Sequence, residues 1–425
     1  MPADAEAIVR EVLRDALAPE ERLTVDVWAD TYRRMLPPSP MPGPWKTDRV
    51  PYLREPMRMY TEPGVRRIVL KFGTQCSKTE MMLNCALYTV ACDPFPILWV
   101  TDNADNARDF MRDRFIPAAR ACAPVAALLP SNPHEVTSSH VLFSTCTMHA
   151  TGSNSPGNLA SKPVGRPIFD EINKYPEQMK GGKEGRALEV GRSRTHAYGD
   201  LAVELDSSSP TLEDVGIDRE YARSDQRKYH VPCPACGEGQ TLGLGTTGRG
   251  GIRWEGGVGS ELGDVELEAL VARVRRTAWY ECAKCGARIE QGMKGWMLAR
   301  GVWVADGQRS APDPDGALGD LVVLGEAPET DTRGYWISQL YSPFRSWGDV
   351  AAEFVQLRGK VTQEFVNQVL AEAWVENEAR TDENTLLGIV ERSALLVDEA
   401  GVYRKGERPG PHAVAVVPPH EIVPG

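Results

Sequence analysis

The stretch Lys71-Phe72-Gly73-Thr74-Gln75-Cys76-Ser77-Lys78-Thr79-Glu80 follows an apolar, β-rich run, Val65 to Leu70, and leads into an apolar helical pattern from Met81. No other stretch limits the fold as tightly. Strand, tight turn and helix in that order make a phosphate cradle: backbone N–H groups at the helix start point at phosphate oxygens, a Lys neutralises the terminal phosphates, and the next Ser or Thr holds Mg²⁺. Lys78 and Thr79 take those positions, and Gly73, Gln75, Cys76, Ser77 and Glu80 complete the expected nucleotide-binding loop. The spelling departs from G-x-x-x-x-G-K-[ST], because Ser77 stands where the second Gly belongs and Phe72, not Gly73, occupies the first Gly position. The same residues fit an ordinary strand-to-helix turn with a solvated Lys-Thr pair. The choice falls to the rest of the chain.

Arg166-Pro167-Ile168-Phe169-Asp170-Glu171 supplies a second signal, a short apolar strand that ends in two carboxylates. Phosphoryl transfer needs one carboxylate to hold Mg²⁺ and another to orient and deprotonate the attacking water. Asp170 and Glu171 are placed for those roles, with Thr79 and Asp170 as the Mg²⁺ ligands. A third strand, Leu201 to Leu205, runs into Asp206-Ser207-Ser208-Ser209-Pro210-Thr211, whose hydroxyls suit γ-phosphate sensing or a plain Ser-rich turn. Arg186, Arg192 and Arg194 lie between the two strands and suit phosphate, DNA or solvent.

Further strands at Ile97 to Thr101 and Val141 to Thr145 alternate with helices at 77–91 and 104–121, which predicts a mostly parallel α/β sheet with helices on both faces. Ligands in such sheets bind at the carboxyl ends of strands. The Pro-rich segment 18–64 predicts an irregular arm packed over the domain. Tyr52 and Tyr60 within it are either adenine-stacking residues or anchors of the arm.

The 425 residues carry a formal net charge of −11, which argues against a tight static coat on nucleic acid. No apolar run reaches the length of about 18 residues needed for a membrane helix. Met1 to Leu17 is an amphipathic helix pattern with Ile8, Val12 and Ala16 on one stripe and lacks the basic start of a signal peptide, so a cytosolic location is expected. Of nine cysteines, Cys76, Cys85, Cys92, Cys122 and Cys146 are scattered and read as small buried hydrophobes.

The other four form two knuckles, Cys233-Pro234-Ala235-Cys236-Gly237 and Cys282-Ala283-Lys284-Cys285-Gly286. Two C-x-x-C-G turns facing each other complete a tetrahedral Cys₄ site, which predicts structural zinc. Their separation exceeds the common spacing and holds a Gly-rich stretch, 243–259, and a helical pattern near 262–274, an insertion within the ribbon. Beyond it come a strand and aromatic turn at 334–344, helices near 347–357 and 362–374, and a weakly patterned tail.

In this order the parts resemble the large terminase subunit of tailed bacteriophages, the lambda-like GpA family. The resemblance is carried by Gln75-x-x-Lys78-Thr79-Glu80, Gly152-Ser153-Asn154-Ser155-Pro156, Asp170-Glu171-Ile172-Asn173-Lys174-Tyr175-Pro176, Ser208-Ser209-Pro210-Thr211, Ser224 through Pro234, and Leu340-Tyr341-Ser342-Pro343-Phe344. It implies an additional-strand P-loop ATPase that drives double-stranded DNA through a portal into a procapsid. Lys78 and Thr79 match the Walker A residues, Asp170 and Glu171 the Walker B pair, and Ser208 to Thr211, with Ser208 and Ser209 near the nucleotide, the coupling motif. A catalytic basic finger would be Lys162 or Arg166. A portal protein, a small terminase subunit and a homo-oligomeric ring are implied as partners. The implied location is the host cytoplasm, transiently at the procapsid portal and not in the mature virion. No acidic cluster for the family's nuclease is seen after Glu391, so that domain is expected to be missing or separate. The expected division is an arm at 1–44, the ATPase domain at 45–230, the zinc ribbon at 231–300, the rest of a motor or lid subdomain at 301–380, and a tail or linker at 381–425. A helicase-like DNA-dependent ATPase and a zinc-ribbon docking module with a decayed ATP site are the alternatives.

Overall fold

A computed structural model describes residues 23–155, 157, 159, 163–176, 187–245 and 248–375. The expected helix at 1–17, Lys162, Arg186 and the tail at 381–425 lie outside the described residues.

Among the described residues ten strands form the central sheet: β1 Arg67–Phe72, β2 Ile97–Thr101, β3 His140–Leu142, β4 Thr147–Gly152, β5 Arg166–Asp170, β6 Glu204–Ser208, β7 Arg227–Pro232, β8 Gly239–Gln240, β9 Val302–Val304 and β10 Thr332–Ile337. Their order across the sheet is β8-β7-β10-β1-β6-β5-β2-β4-β3, with β9 also paired to β7. Every pairing from β7 through β10, β1, β6, β5 and β2 to β4 is parallel. The antiparallel strands β3, β8 and β9 stand at the two margins. β2, β5 and β6 are buried along their whole length and β1 over all but its first residue, as expected where helices cover both faces of a parallel sheet.

β6 sits between the cradle strand β1 and the acidic strand β5, which is the additional-strand order. Register aligns their ends: Lys71 lies opposite Ser208, and Asp170 opposite Ser207. Three chemically distinct strand ends therefore meet at one edge of the sheet.

Helix α1 spans Val25–Tyr32 and packs on α2, Lys78–Cys92, which leaves the cradle. α3, Ala104–Phe110, continues through a π-helical turn, Met111–Phe115, into a further helical turn, Ile116–Ala121. In the ribbon region α4, Asp264–Thr277, packs along α5, Trp347–Gln356. Contact is close there, since a Cβ on Gly348 would lie 2.2 Å from the Arg275 carbonyl oxygen.

Several expectations shift. The strand placed at 201–205 is Glu204–Ser208, because Gly199–Leu201 forms a 3₁₀ turn, so Ser207 and Ser208 are strand residues rather than turn residues. The helix placed at 362–374 is short: a π turn, Phe365–Val369, is followed by Ala371 at φ 58°, and the chain then runs beside Leu212 as far as Trp374. The sheet does not close at residue 230 either, since β8, β9 and β10 come from later sequence. Without β10, the backbone groups of β1 on that side would lack partners. The arm holds regular helix at Val25–Tyr32 and Arg54–Met59. Tyr52 and Tyr60 are buried anchors rather than base-stacking residues: Tyr52 packs edge-on against Phe72 and Tyr229, and the Tyr60 hydroxyl lies 2.9 Å from that of Thr89.

Candidate functional site

The cradle turns from β1 into α2 through two residues in the left-handed region, Gln75 at φ 57° and Ser77 at φ 62°. The N–H groups that open α2 have no acceptor within the helix, the general condition of a helix start, and they face a cleft of about 750 Å³. Gly73 is required by close approach: a Cβ there would lie 2.8 Å from the Gln368 carbonyl oxygen. Two loop N–H groups are already committed, Gly73 to Ile337 O at 2.8 Å and Thr74 to Gln368 O at 2.9 Å.

Lys78 is buried and donates from Nζ to Ser209 Oγ at 2.9 Å and to the carbonyls of Phe72 and Gly73 at 3.1 and 3.4 Å. Glu171 Oε1 lies 3.8 Å from the same Nζ. Ser209 Oγ in turn donates to Phe72 O at 3.0 Å. Lys78, Glu171 and Ser209, expected on separate motifs, are thus brought together around one ammonium.

Asp170 is buried at the end of β5 and accepts a hydrogen bond from Ser207 Oγ at 3.2 Å. Burial, then the neighbouring Glu171 charge, pushes its carboxyl up to about 6, against the opposing pull of Lys78 and the Ser207 bond. A buried carboxyl with too few cations around it is a site suited to a metal. Thr79, Asp170 and Glu171 line a second, acidic cleft of about 300 Å³ with Asp102, Asp109 and Asp113. Glu171 itself has φ 58°, a left-handed turn that swings its side chain back toward Lys78 and Lys174.

Other candidates fall elsewhere. The Cys76 thiol is buried, 3.6 Å from Ser338 O, and burial pushes it up to about 12. Glu80 is held by Arg33 at 2.9 Å and Arg114 at 2.5 Å, so its side chain serves those cations. Ser208 Oγ accepts from Asn173 N at 3.3 Å. Arg166 cannot serve as a finger: it lies at the opposite end of β5 from Asp170, buried, paired to Asp93 at 2.6 Å and 4.0 Å from the Phe95 ring centroid. Arg192 is likewise committed, to Glu204, Asp206 and Glu220 at 2.7 to 2.8 Å.

Motif reading named Ser207 and Asn173 only as members of longer runs, without these contacts, and missed Arg33 and Arg114. Ser207 follows from strand alternation once β6 is placed correctly. Asn173 donates to Thr211 Oγ1 at 2.7 Å and accepts from Ile217 N at 2.8 Å, tying the turn after β5 to the loop after β6. Arg33 and Arg114 have no local signature, because their partner Glu80 is distant in sequence.

The four knuckle cysteines converge with every Sγ within 4.8 Å of the others; Cys233 to Cys285 and Cys236 to Cys282 are both 3.9 Å. Zn–S bonds of about 2.3 Å in a tetrahedron require an S–S separation of about 3.8 Å, so the donor set fits zinc. The knuckles repeat each other in detail. Ala235 N and Lys284 N each donate to a preceding sulfur at 3.4 Å, and Gly237 and Gly286 hold φ of 75° and 74°, a conformation that favours glycine.

Among the described residues no helix is long and apolar enough to cross a membrane. The chain is 23% identical to the terminase large subunit of Escherichia phage lambda over 382 residues, 86% of this chain and 55% of that protein. The terminase large subunit of Enterobacteria phage P21 is 23% identical over 400 residues, 90% of this chain and 57% of that one. The chain therefore spans little more than half the length of these relatives. Among solved structures, the Thermus phage P74-26 large terminase ATPase domain is 11% identical with a TM-score of 0.38, covering 73% of this chain and 89% of that one. The HK97 bacteriophage large terminase is 11% identical with a TM-score of 0.38, covering 47% and 40%.

The expectation that nuclease sequence is missing is corrected: the terminase large subunit gpA endonuclease domain matches residues 332–416. Its described part, 332–375, begins with β10 in the middle of the central sheet. The phage terminase large subunit gpA ATPase domain matches residues 39–303, more than half of the chain, and the protein belongs to that family.

Proposed function

We propose that the chain is the ATPase motor part of a phage terminase, hydrolysing ATP to move double-stranded DNA through a portal into a procapsid. The observation that carries this reading is the convergence of Lys78, Glu171 and Ser209 from three sequence-distant segments at the ends of β1, β5 and β6. Lys78 neutralises the β and γ phosphates as it exchanges its present carbonyl partners for phosphate oxygens. Thr79 and Asp170 would hold Mg²⁺, which supplies charge neutralisation between the phosphates. Glu171 takes a proton from the attacking water, and its backbone turn fixes the carboxylate next to Lys78. Ser208 and Ser209 carry the state of the phosphates into β6. The N–H groups of Gln75, Cys76, Ser77 and Lys78 form the phosphate cradle, and Zn²⁺ on Cys233, Cys236, Cys282 and Cys285 is structural.

In domain terms, 45–375 form one unit around the sheet, with the ribbon at 231–300 inserted into it. A portal protein, a small terminase subunit and further copies of this chain in a ring complete the proposed machine, acting in the host cytoplasm. Lys162, from a neighbouring copy, is the remaining proposed finger. The net charge of −11 leads to weak DNA affinity for the isolated chain that falls further with salt.

Steady-state ATPase assays test the reading. Lys78→Ala and Glu171→Ala should each lower turnover by about 100-fold or more, the Glu171 variant retaining nucleotide binding. Full activity in either variant removes the assignment, and DNA strand separation by the wild type would replace the packaging motor with a helicase.

A further inference from the structure

Among the described residues four line both the cleft before the cradle and the acidic cleft beside it: Thr79, Asp113, Arg114 and Glu171. Arg114 is the cation among them. Arg33, Lys46, Arg49 and Lys78 line the first cleft alone, and Lys174, 3.6 Å from Glu171, lines the second alone.

Arg114 projects from the π turn Met111–Phe115, which lies between two α-helical segments. A π turn inserts one residue into a helix and is concentrated at functional sites because it re-aims side chains at a cost in regularity. Here Met111 and Phe115 stay buried while the Arg114 side chain is 43% exposed at the cleft. Its neighbour Arg112 is tied to Asp109 and Asp113 at 2.8 and 2.7 Å.

The two oxygens of Glu80 are divided between two guanidiniums. Oε2 faces Arg33, whose side chain is 3% exposed, at 2.9 Å; Oε1 faces Arg114 at 2.5 Å. If Arg114 leaves, Arg33 still neutralises Glu80, and no buried charge is stranded. The exposed cation is therefore the one free to exchange its carboxylate for another anion.

We propose that Arg114 is a catalytic residue that leaves Glu80 and binds the terminal phosphate of the nucleotide in its own subunit, on the side away from Lys78. The inference rests on the ATPase reading above. In hydrolysis the water oxygen forms a bond to the terminal phosphorus as the bond to the leaving diphosphate breaks, and the water proton passes to Glu171. Arg114 moves no proton; its planar fork donates to phosphate oxygens as charge redistributes over them.

Arg114→Ala and Arg114→Lys are compared with the wild type in turnover, in affinity for ADP and a non-hydrolysable ATP analogue, and in mixtures with Glu171→Gln protein. Turnover should fall by about 100-fold in the Ala variant and recover in part in the Lys variant. Analogue affinity should fall by about tenfold while ADP affinity stays within about twofold, because only the terminal phosphate is contacted. The mixture should stay inactive, since in either protein every site lacks Arg114 or Glu171. Recovery of turnover in the mixture, equal weakening of ADP and analogue, or Ala-variant turnover within about threefold of wild type overturns the proposal. A wild type that binds neither nucleotide and hydrolyses no ATP removes the ATPase reading and this inference with it. Wild-type turnover that survives in Arg114→Ala removes this inference alone.

Discussion

Ser77 is the residue at which the cradle departs from the usual loop, and its φ of 62° shows what the departure costs. A left-handed backbone is costly for a side chain with a Cβ, by about 1–2 kcal/mol, whereas Gly adopts it freely. Gly also has more freedom to lose on folding, so Ser77→Gly should stabilise the protein by only about 0.5 kcal/mol in urea unfolding. Ser77→Val, β-branched in the same conformation, should destabilise by about 1–2 kcal/mol. A loss of stability in the Gly variant would show that the Ser side chain does more than tolerate the turn. The positions of Lys78, Asp170 and Glu171 at the ends of their strands could be read from the sequence because each is set by a local strand-to-turn pattern. The bond from Ser207 to Asp170 was hidden by a strand boundary three residues off. Arg33 and Arg114 were hidden because their meeting at Glu80 depends on how the arm and the π turn pack, which no local pattern encodes.

At the scale of elements, alternating strand and helix signals were enough to give the parallel sheet and the neighbourhood of the site. The strand that completes it, β10, was read as a strand but without its partner, since a parallel pairing across more than 250 residues leaves no trace in local periodicity. The turn after β10 is the bridge between ribbon and cradle. Lys294, from the helical turn Lys294–Ala299, donates to Ser342 O at 2.7 Å and Arg345 O at 2.8 Å, and Ser342 Oγ donates to Gln75 O at 3.0 Å. Burial, opposed by the Cys76 thiol and aided by Arg345, pulls the Lys294 ammonium down to about 7. Its folded value lies below its unfolded one, so the stability it contributes is complete above the unfolded value near 10.5 and is lost as pH falls toward 7. Between pH 7 and 9 the wild type should therefore gain on the order of 2–3 kcal/mol relative to Lys294→Met. Parallel stability curves for the two proteins across that range would refute a buried, largely neutral Lys294.

For the molecule as a whole, the two knuckles announced a zinc ribbon, but their sequence position did not show how far the ribbon is built into the ATPase fold. The first knuckle lies on the β7–β8 hairpin of the central sheet, the second on the hairpin joining Trp279–Glu281 to Arg288–Ile289. Tyr341 locks the junction: its hydroxyl donates to Tyr229 O at 2.8 Å and accepts from Leu242 N at 2.7 Å, while Trp347 packs on Tyr280 at 5.1 Å. The same turn holds Gln339, whose amide lies 3.1 Å from Gln368 O, the carbonyl that takes the Thr74 N–H. A ribbon fastened in this way cannot unfold alone without freeing the turn that braces the cradle. Metal analysis should give about one Zn per chain, as a single Cys₄ site requires. Removing the metal with a chelator should lower one cooperative thermal transition and weaken ATP binding together, and Cys282→Ser should reproduce both effects without chelator. Two separate transitions, with the ATP-stabilised one unmoved by metal loss, would instead make the ribbon an independent module that happens to interrupt the sequence of the motor.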